Sequence, residues 1–379
     1  MPHTLPAPWS DRLAGAAAQR RAWNRERGLQ PPAGLDFCSN DYLGLRRDPR
    51  LARAAAEAAE AFGAGSGAAR LLRGDTPLHH TLEQTLAQWK GAESALLFNT
   101  GFQCNATVIP ALAGKGDAVF SDALNHASLV DGCRMARAGG AAVEVYRHLD
   151  LEDLEARLRR IGRQAAGGLA LVATDAVFSM DGDAADLPAL VEVCARHDAL
   201  LLVDEAHATG LLGETGAGLA EDQGLKGRIP LLMGTLGKAL GSFGAYIACP
   251  APLREHLLNT CRGFIFSTAL PPPVLGASLE AIRVGREETW RRERALGHAA
   301  ALRRALSLPP GPSAIVPLIL GEDRRALAWA QALQAQGFDV RAVRPPTVPE
   351  GSARLRITTG AHLEEAQVQD LISALGGLS

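Results

Sequence analysis

From Leu78 to Val203 short apolar runs alternate with amphipathic stretches, and this alternation restricts the fold more than any other feature. Helical periodicity over Leu78–Trp89, Gln103–Leu112, Ser128–Ala138, Leu151–Ile161 and Leu187–Arg196 is interleaved with apolar runs. Those runs are Ala95–Phe98, Ala118–Phe120, Ala142–Tyr146, Leu169–Val177 and Leu200–Val203, with further ones at Ile229–Gly234 and Ala245–Ala248. Runs this short cannot be helices, and their lack of alternation marks strands buried on both faces. Strands joined through helices give a mostly parallel sheet flanked by helices, the α/β class.

The flanks have a different texture. A helix is expected over Trp9–Arg27, broken by Pro31-Pro32, then an extended piece at Leu35–Cys38 and a turn at Ser39–Gly44. A helix over Pro49–Phe62 stops at Gly63, Gly65 and Gly67, a flexible loop that follows a helix and is therefore no dinucleotide fingerprint. After Pro271-Pro272-Pro273 comes an Arg/Glu-rich helical region. A smaller α+β unit follows, with Ile315–Leu320, Arg325–Gln336, Val340–Val343, Leu355–Ile357 and a last helix from about Leu363. The expected division is 1–45, an N-terminal helix and extended segment; 46–280, a large domain; and 281–379, a small C-terminal domain.

Open α/β sheets bind ligands just beyond the carboxyl ends of their strands. Leu200–Val203 runs into Asp204-Glu205-Ala206-His207, and Ile229–Gly234 into Thr235-Leu236-Gly237-Lys238. Asp-Glu-Ala-His also occurs in helicases, but that reading needs a phosphate loop, G-x-x-x-x-G-K-[ST]. Before Gly237-Lys238 the first glycine is replaced by Leu232, and Ala239 follows; Gly114-Lys115 fails at Ile109 and Gly116. The helicase reading falls.

Lysine is scarce: of 39 basic residues only Lys90, Lys115, Lys226 and Lys238 are lysines. The first three read as solvated surface residues. Lys238 lies among small residues between two apolar runs, where desolvation would favour the neutral amine of a Schiff-base nucleophile. Spacing alone leaves that open against a surface lysine. Thr100-Gly101-Phe102 lies where a helix start would turn backbone N–H groups toward an anion, or forms an ordinary strand–helix turn. Taken together, an amine, an acid and an anion site suggest pyridoxal 5'-phosphate (PLP).

Composition removes other classes. A net charge of −2 excludes general nucleic-acid binding, and Arg20-Arg21, Arg159-Arg160 and Arg291-Arg292 read as helix faces. Six cysteines form no C-x-x-C pair and no metal spacing, which fits buried thiols in a reducing compartment. The N-terminus has no charged start followed by an apolar core, and no run approaches 18 apolar residues. A cytoplasmic protein without nucleic-acid, membrane or metal partners is expected.

Five ordered motifs resemble the α-oxoamine synthases, fold-type I PLP enzymes that condense an amino acid with an acyl-CoA. They are Ser39-Asn40-Asp41-Tyr42-Leu43-Gly44-Leu45, Asn125-His126-Ala127-Ser128-Leu129, Val177-Phe178-Ser179-Met180-Asp181-Gly182, Asp204-Glu205-Ala206-His207-Ala208-Thr209-Gly210 and Thr235-Leu236-Gly237-Lys238. Thr76-Pro77-Leu78-His79, Phe266-Ser267-Thr268-Ala269-Leu270-Pro271-Pro272 and Arg344-Pro345-Pro346-Thr347-Val348-Pro349 point to members that use L-alanine and pimeloyl-CoA or its acyl-carrier-protein (ACP) form. Glycine with acetyl-CoA is the alternative substrate pair.

The resemblance implies roles. Lys238 holds the cofactor and moves the α-proton, Asp204 pairs with the ring nitrogen, and His126 stacks on the ring. His207 and Ser179 donate to the phenolic oxygen; Thr235 with the Gly101 and Phe102 amides holds the phosphate. In a homodimer with interfacial sites, Ser267 and Thr268 reach the partner's phosphate. Arg356 grips the substrate carboxylate, although period-two alternation puts Arg354 on the same face and only the motif chooses. Asn40 and Thr347 belong to the substrate pocket, and Arg27 to the acyl substrate. Asp175 stands where members often have Glu, and Arg73 reads as a surface charge rather than a CoA contact.

Overall fold

The computed structural model describes residues 4–162 and 168–378; residues 1–3 and 379, at the ends of the first and last expected domains, lie outside these. The strands are β1 (Leu35–Asp36), β2 (Ser94–Phe98), β3 (Ala118–Asp122), β4 (Ala142–Tyr146), β5 (Ala170–Asp175) and β6 (Leu200–Asp204). They continue with β7 (Leu231–Thr235), β8 (Ala245–Cys249), β9 (Ile315–Gly321), β10 (Phe338–Asp339), β11 (Ala342–Val343) and β12 (Ala353–Thr358). Seven form one sheet in the order β2-β8-β7-β6-β5-β3-β4. Only β8 runs antiparallel to its neighbours among these strands.

Period-two geometry explains the unbroken apolar runs. On β6, Leu201 and Val203 enter one core while Leu202 enters the other; on β2, Leu97 faces opposite to Leu96 and Phe98. One face is covered by helices Pro77–Lys90 and Leu187–Arg196 through Leu82, Leu86, Leu190 and Val193. Helices Gly101–Leu112 and Ala127–Ala138 cover the other through Val108, Ile109, Leu129 and Cys133. In β5, β6 and β7, whose faces are both dry, polar side chains are confined to the carboxyl ends; edge strand β4 is partly exposed and carries Glu144 at its centre.

The C-terminal unit is an antiparallel sheet, β11-β12-β9. Its core joins Leu302, Val316, Leu333, Leu355, Ile357 and Leu371 with Phe37 from the N-terminal part. Strand β1 pairs in parallel with β10, Leu35 opposite Phe338 and Asp36 opposite Asp339. The run Val340–Val343 is not one strand, because the chain changes partners: β10 pairs with β1 and β11 with β12. The first helix covers Ala7–Ala22 and stops short of Arg27. Asn24 adopts a left-handed backbone just beyond it, and the helix buries no residue that would extend it by packing. No helix among the described residues is long and apolar enough to cross a membrane.

Two surface assignments fail. Arg292 is buried and donates to the carbonyls of Gly285 and Glu214, both at 2.6 Å. Lys90 is not a solvated residue but 2 % exposed. Its Nζ donates to Glu205 Oε2 at 2.5 Å, to Thr209 Oγ1 at 3.0 Å and to the Ala217 carbonyl. Glu205 in turn accepts the Ala220 N–H at 2.8 Å. The partner lies 115 residues away, so no local pattern could show it. Lys115 and Lys226 are exposed as expected.

Removing one member of a buried pair strands the other charge, at a cost of about 3–5 kcal/mol. Lys90→Ala should therefore lower the unfolding free energy by that amount in a urea titration. Lys115→Ala should change it by less than about 0.5 kcal/mol. Equal effects from the two substitutions would contradict the pair.

Candidate active site

A cavity of about 800 Å³ opens between the main sheet and the C-terminal unit. His126, Ser179, His207, Lys238, Asn40 and Arg356 line it, with Arg27 and Thr347 also on its wall. The chain therefore gathers eight of the expected site residues from positions 27 to 356.

Lys238 follows β7 in a turn closed by the Gly241 N–H donating to the Lys238 carbonyl at 2.9 Å. Gly241 has φ +62, and a Cβ there would lie 2.4 Å from the Arg46 nitrogen, so glycine is required. The Lys238 Nζ lies 2.9 Å from His207 Nε2. Burial pulls its pKa down to about 8 against the opposing pull of Asp204 and Asp175, and the Arg356 charge adds to the lowering. The amine is thus partly neutral near pH 8.

Asp204, at the end of β6, is buried. Its Oδ1 accepts the Ala206 N–H at 2.8 Å and its Oδ2 accepts Asn105 Nδ2 at 2.6 Å. Asp175 stands in register beside it on β5. Burial pushes the Asp175 carboxyl well above the usual range, and the Asp204 charge adds to this. The Asp175 Oδ2 accepts the His126 backbone N–H at 2.6 Å. His126 caps helix Ala127–Ala138, its Nδ1 accepting the Ser128 N–H at 3.2 Å. The ring is thus both helix cap and cavity wall. Burial holds its pKa below the ordinary value.

The two arginines of β12 part company. Arg354 Nη1 pairs with Asp181 Oδ1 at 2.5 Å and donates to the Met180 carbonyl at 3.2 Å. Arg356 lines the cavity and has no carboxylate partner among the described residues. It donates to the Ser179 carbonyl and to Asn40 Oδ1 at 3.1 Å. At the cavity wall, Arg27 Nη2 donates to Thr347 Oγ1 at 3.1 Å.

Six expected residues lie outside this lining: Asp204, described above, and Gly101, Phe102, Thr235, Ser267 and Thr268. Thr100 Oγ1 caps helix Gly101–Leu112 by accepting the Gln103 N–H at 3.0 Å. The Gly101 and Phe102 N–H groups have no acceptor among the described residues. Thr235 Oγ1 donates to the Gly244 carbonyl at 2.9 Å. Ser267 Oγ accepts Gln103 Nε2, and the Thr268 carbonyl accepts Asn99 Nδ2 at 2.8 Å, so both stand beside the same helix start. Arg73 is exposed and does not line the cavity.

These groups fit PLP. An amine with a lowered pKa can hold an aldehyde, and a carboxylate fixed by Asn105 can hold a protonated ring nitrogen. Unpaired N–H groups at a helix start can hold a phosphate. Sequence reasoning missed two members. Asn105 gives no local signal, because only its place one turn into the helix aims it at Asp204. Tyr42 stood inside a quoted motif without a role; its hydroxyl lies 2.7 Å from His207 Nδ1.

The sequence profile of the family described as aminotransferase class I and II matches residues 32–375. The chain is 52% identical to the 8-amino-7-oxononanoate synthase of Anaeromyxobacter dehalogenans over 91% of this chain and 86% of that protein. It is 45% identical to that of Geobacter sulfurreducens over 96% of each. A solved serine palmitoyltransferase from S. paucimobilis with bound PLP superposes with a TM-score of 0.89, at 32% identity and 97% coverage of both chains. The 8-amino-7-oxononanoate synthase of Francisella tularensis gives 0.75, at 26% identity, covering 91% of this chain and 97% of that one.

The lowered pKa has a direct readout. Capture of PLP by the cofactor-free chain, trapped with borohydride, should label Lys238, and Lys238→Ala should abolish labelling. Because the neutral amine reacts, the capture rate should rise about tenfold per pH unit and level off above pH about 8. Labelling at another lysine, or a rate still rising at pH 10, would contradict the assignment.

Proposed function

The chain belongs to the class I and II aminotransferase family and, within it, to the 8-amino-7-oxononanoate synthases, with the fold-type I architecture and PLP as cofactor. From that premise we propose that it condenses L-alanine with pimeloyl-CoA, or with pimeloyl-ACP, in biotin biosynthesis. The products are 8-amino-7-oxononanoate, CO2 and the free thiol carrier. The observation that carries the reading is the Arg356 guanidinium, without a carboxylate partner among the described residues, in the same cavity as Lys238 Nζ.

When bound, PLP supplies an electron sink for charge developing at the amino acid's α-carbon. Lys238 would hold the cofactor and then take the α-proton on Nζ. Asp204 would keep a proton on the ring nitrogen, and His126 would press on the ring face. Ser179 and His207 would meet the phenolic oxygen, while Thr235 and the Gly101 and Phe102 amides would take the phosphate. The Arg356 fork suits the α-carboxylate, with Asn40 beside it; Arg27 and Thr347 would meet the acyl chain. A carbon–carbon bond forms as the thioester C–S bond breaks, and the carboxylate leaves as CO2.

The working unit would be a homodimer, with Ser267 and Thr268 reaching the partner's cofactor phosphate. Leu72 and Phe266, 83% and 70% exposed near this segment, support it, since large apolar side chains in water favour association. A cytoplasmic setting accords with cysteines that are all free among the described residues. The large unit would end near residue 280 and the N-terminal segment near 45. Light scattering showing an active monomer would overturn the dimer.

Glycine with acetyl-CoA would use the same groups, and the pocket gains only about 1–3 kcal/mol from one methyl. The acyl chain discriminates better. kcat/KM should be higher for alanine with pimeloyl-CoA than for glycine with acetyl-CoA; the reverse order would move the protein to the other pathway. Asp204→Asn should keep the covalent cofactor yet slow α-deuterium exchange on alanine by roughly two powers of ten or more. Near-normal exchange would sink the role of Asp204.

A further inference from the structure

A line of three side chains joins Arg356 to Lys238. Arg356 Nη2 lies 3.1 Å from Asn40 Oδ1, and the Tyr42 hydroxyl 3.2 Å from the same oxygen. That hydroxyl lies 2.7 Å from His207 Nδ1, and His207 Nε2 lies 2.9 Å from Lys238 Nζ. Tyr42 is 1% exposed and His207 5%, so the bond between them is shielded from bulk water.

The direction of every bond in this line follows from its first member. A guanidinium has only donors, so the Asn40 atom facing it is the carbonyl oxygen and not the amide nitrogen. An oxygen can only accept, so the single Tyr42 hydroxyl proton points to Asn40. The Tyr42 oxygen is then left to accept from His207, which requires a proton on Nδ1. In a neutral imidazole that leaves Nε2 as a bare lone pair. Burial first, then the charges of Lys238, Arg356 and His126, hold His207 well below its ordinary pKa, so the ring is neutral.

We propose that Tyr42 is a positioning residue: through Asn40 it carries the donor direction of Arg356 to His207 and fixes the Nδ1–H tautomer, with the Nε2 lone pair turned to Lys238. His207 therefore accepts a hydrogen bond from the Lys238 amine on Nε2 and donates one to Tyr42 from Nδ1. The donor role toward the phenolic oxygen that family resemblance implies for His207 concerns the PLP-loaded protein and is separate from this arrangement. The Nδ1–H tautomer also fixes the direction of Nζ before any substrate arrives. The proposal deepens the reading of Lys238 and Arg356 given above, but the tautomer belongs to the chain without ligand and can be read separately.

The test is 15N NMR of the full-length, PLP-free chain labelled at histidine, with the His207 signals assigned by their loss in His207→Gln. Protonated and bare ring nitrogens differ widely in shift. Wild type should show a protonated Nδ1 and a bare Nε2. Tyr42→Phe removes one oxygen and should bring up the Nε2–H form. Asn40→Ala keeps the hydroxyl but frees its proton for Nδ1, so it should give the Nε2–H form as well, and it serves if Tyr42→Phe does not fold. A wild-type Nε2–H tautomer, or a tautomer indifferent to both substitutions, overturns the proposal. Absence of condensation with an Nδ1–H tautomer would overturn the proposed function and leave this inference standing.

Discussion

Burial of the central strands of the main sheet on both faces is the constraint from which the rest follows. Strands whose side chains alternate between two dry cores can carry polar groups only where they leave the sheet. Asp175 ends β5, Asp204 ends β6 and Thr235 ends β7, and β5 and β6 are adjacent and in register. The carboxylates are therefore neighbours by necessity. Their mutual repulsion is resolved unequally: Asp204 accepts a side-chain amide and a backbone N–H, while Asp175 is pushed toward its neutral form. The two acids nearest the lysine thus sit in unlike surroundings, one held by a side-chain amide and the other by a backbone N–H.

A second contrast lies between two ion pairs. Lys90 with Glu205 and Arg354 with Asp181 are satisfied charges that hold structure. Lys238 and Arg356 are basic groups kept without a carboxylate partner among the described residues. Charge left unpaired in a cavity is the condition for meeting an anionic substrate, because a paired group would first have to give up its partner. Each functional basic group has a structural counterpart of the same residue type elsewhere in the fold.

Much of this was legible in the sequence, for reasons that are local. The parallel sheet followed from apolar runs of strand length; Lys238 stood out by its scarcity and its place between two such runs, but spacing left a surface lysine open and only the motifs chose. What failed was non-local. Lys90 reads as a surface residue because its helix is amphipathic, and only the fold brings Glu205 to it. Asn105 is one turn into a helix whose sequence announces no acid across the sheet. Arg354 and Arg356 share a strand face, and only the position of Asp181 separates them. The break between β10 and β11 depends on β1, a segment from the other end of the chain.

That pairing of β1 with β10 has a consequence for synthesis. Phe37, next to β1, belongs to a core whose other members, beginning at Ala299, all follow the main sheet in the chain. Leu35 and Phe338 are about 300 residues apart, and translation at roughly 5–20 residues per second separates them by about 15–60 s. Through that interval the ribosome displays a segment bearing Asn40 and Tyr42 with no strand to receive it. The pocket cannot assemble from the N-terminus onward, and waits for the last part of the chain to emerge.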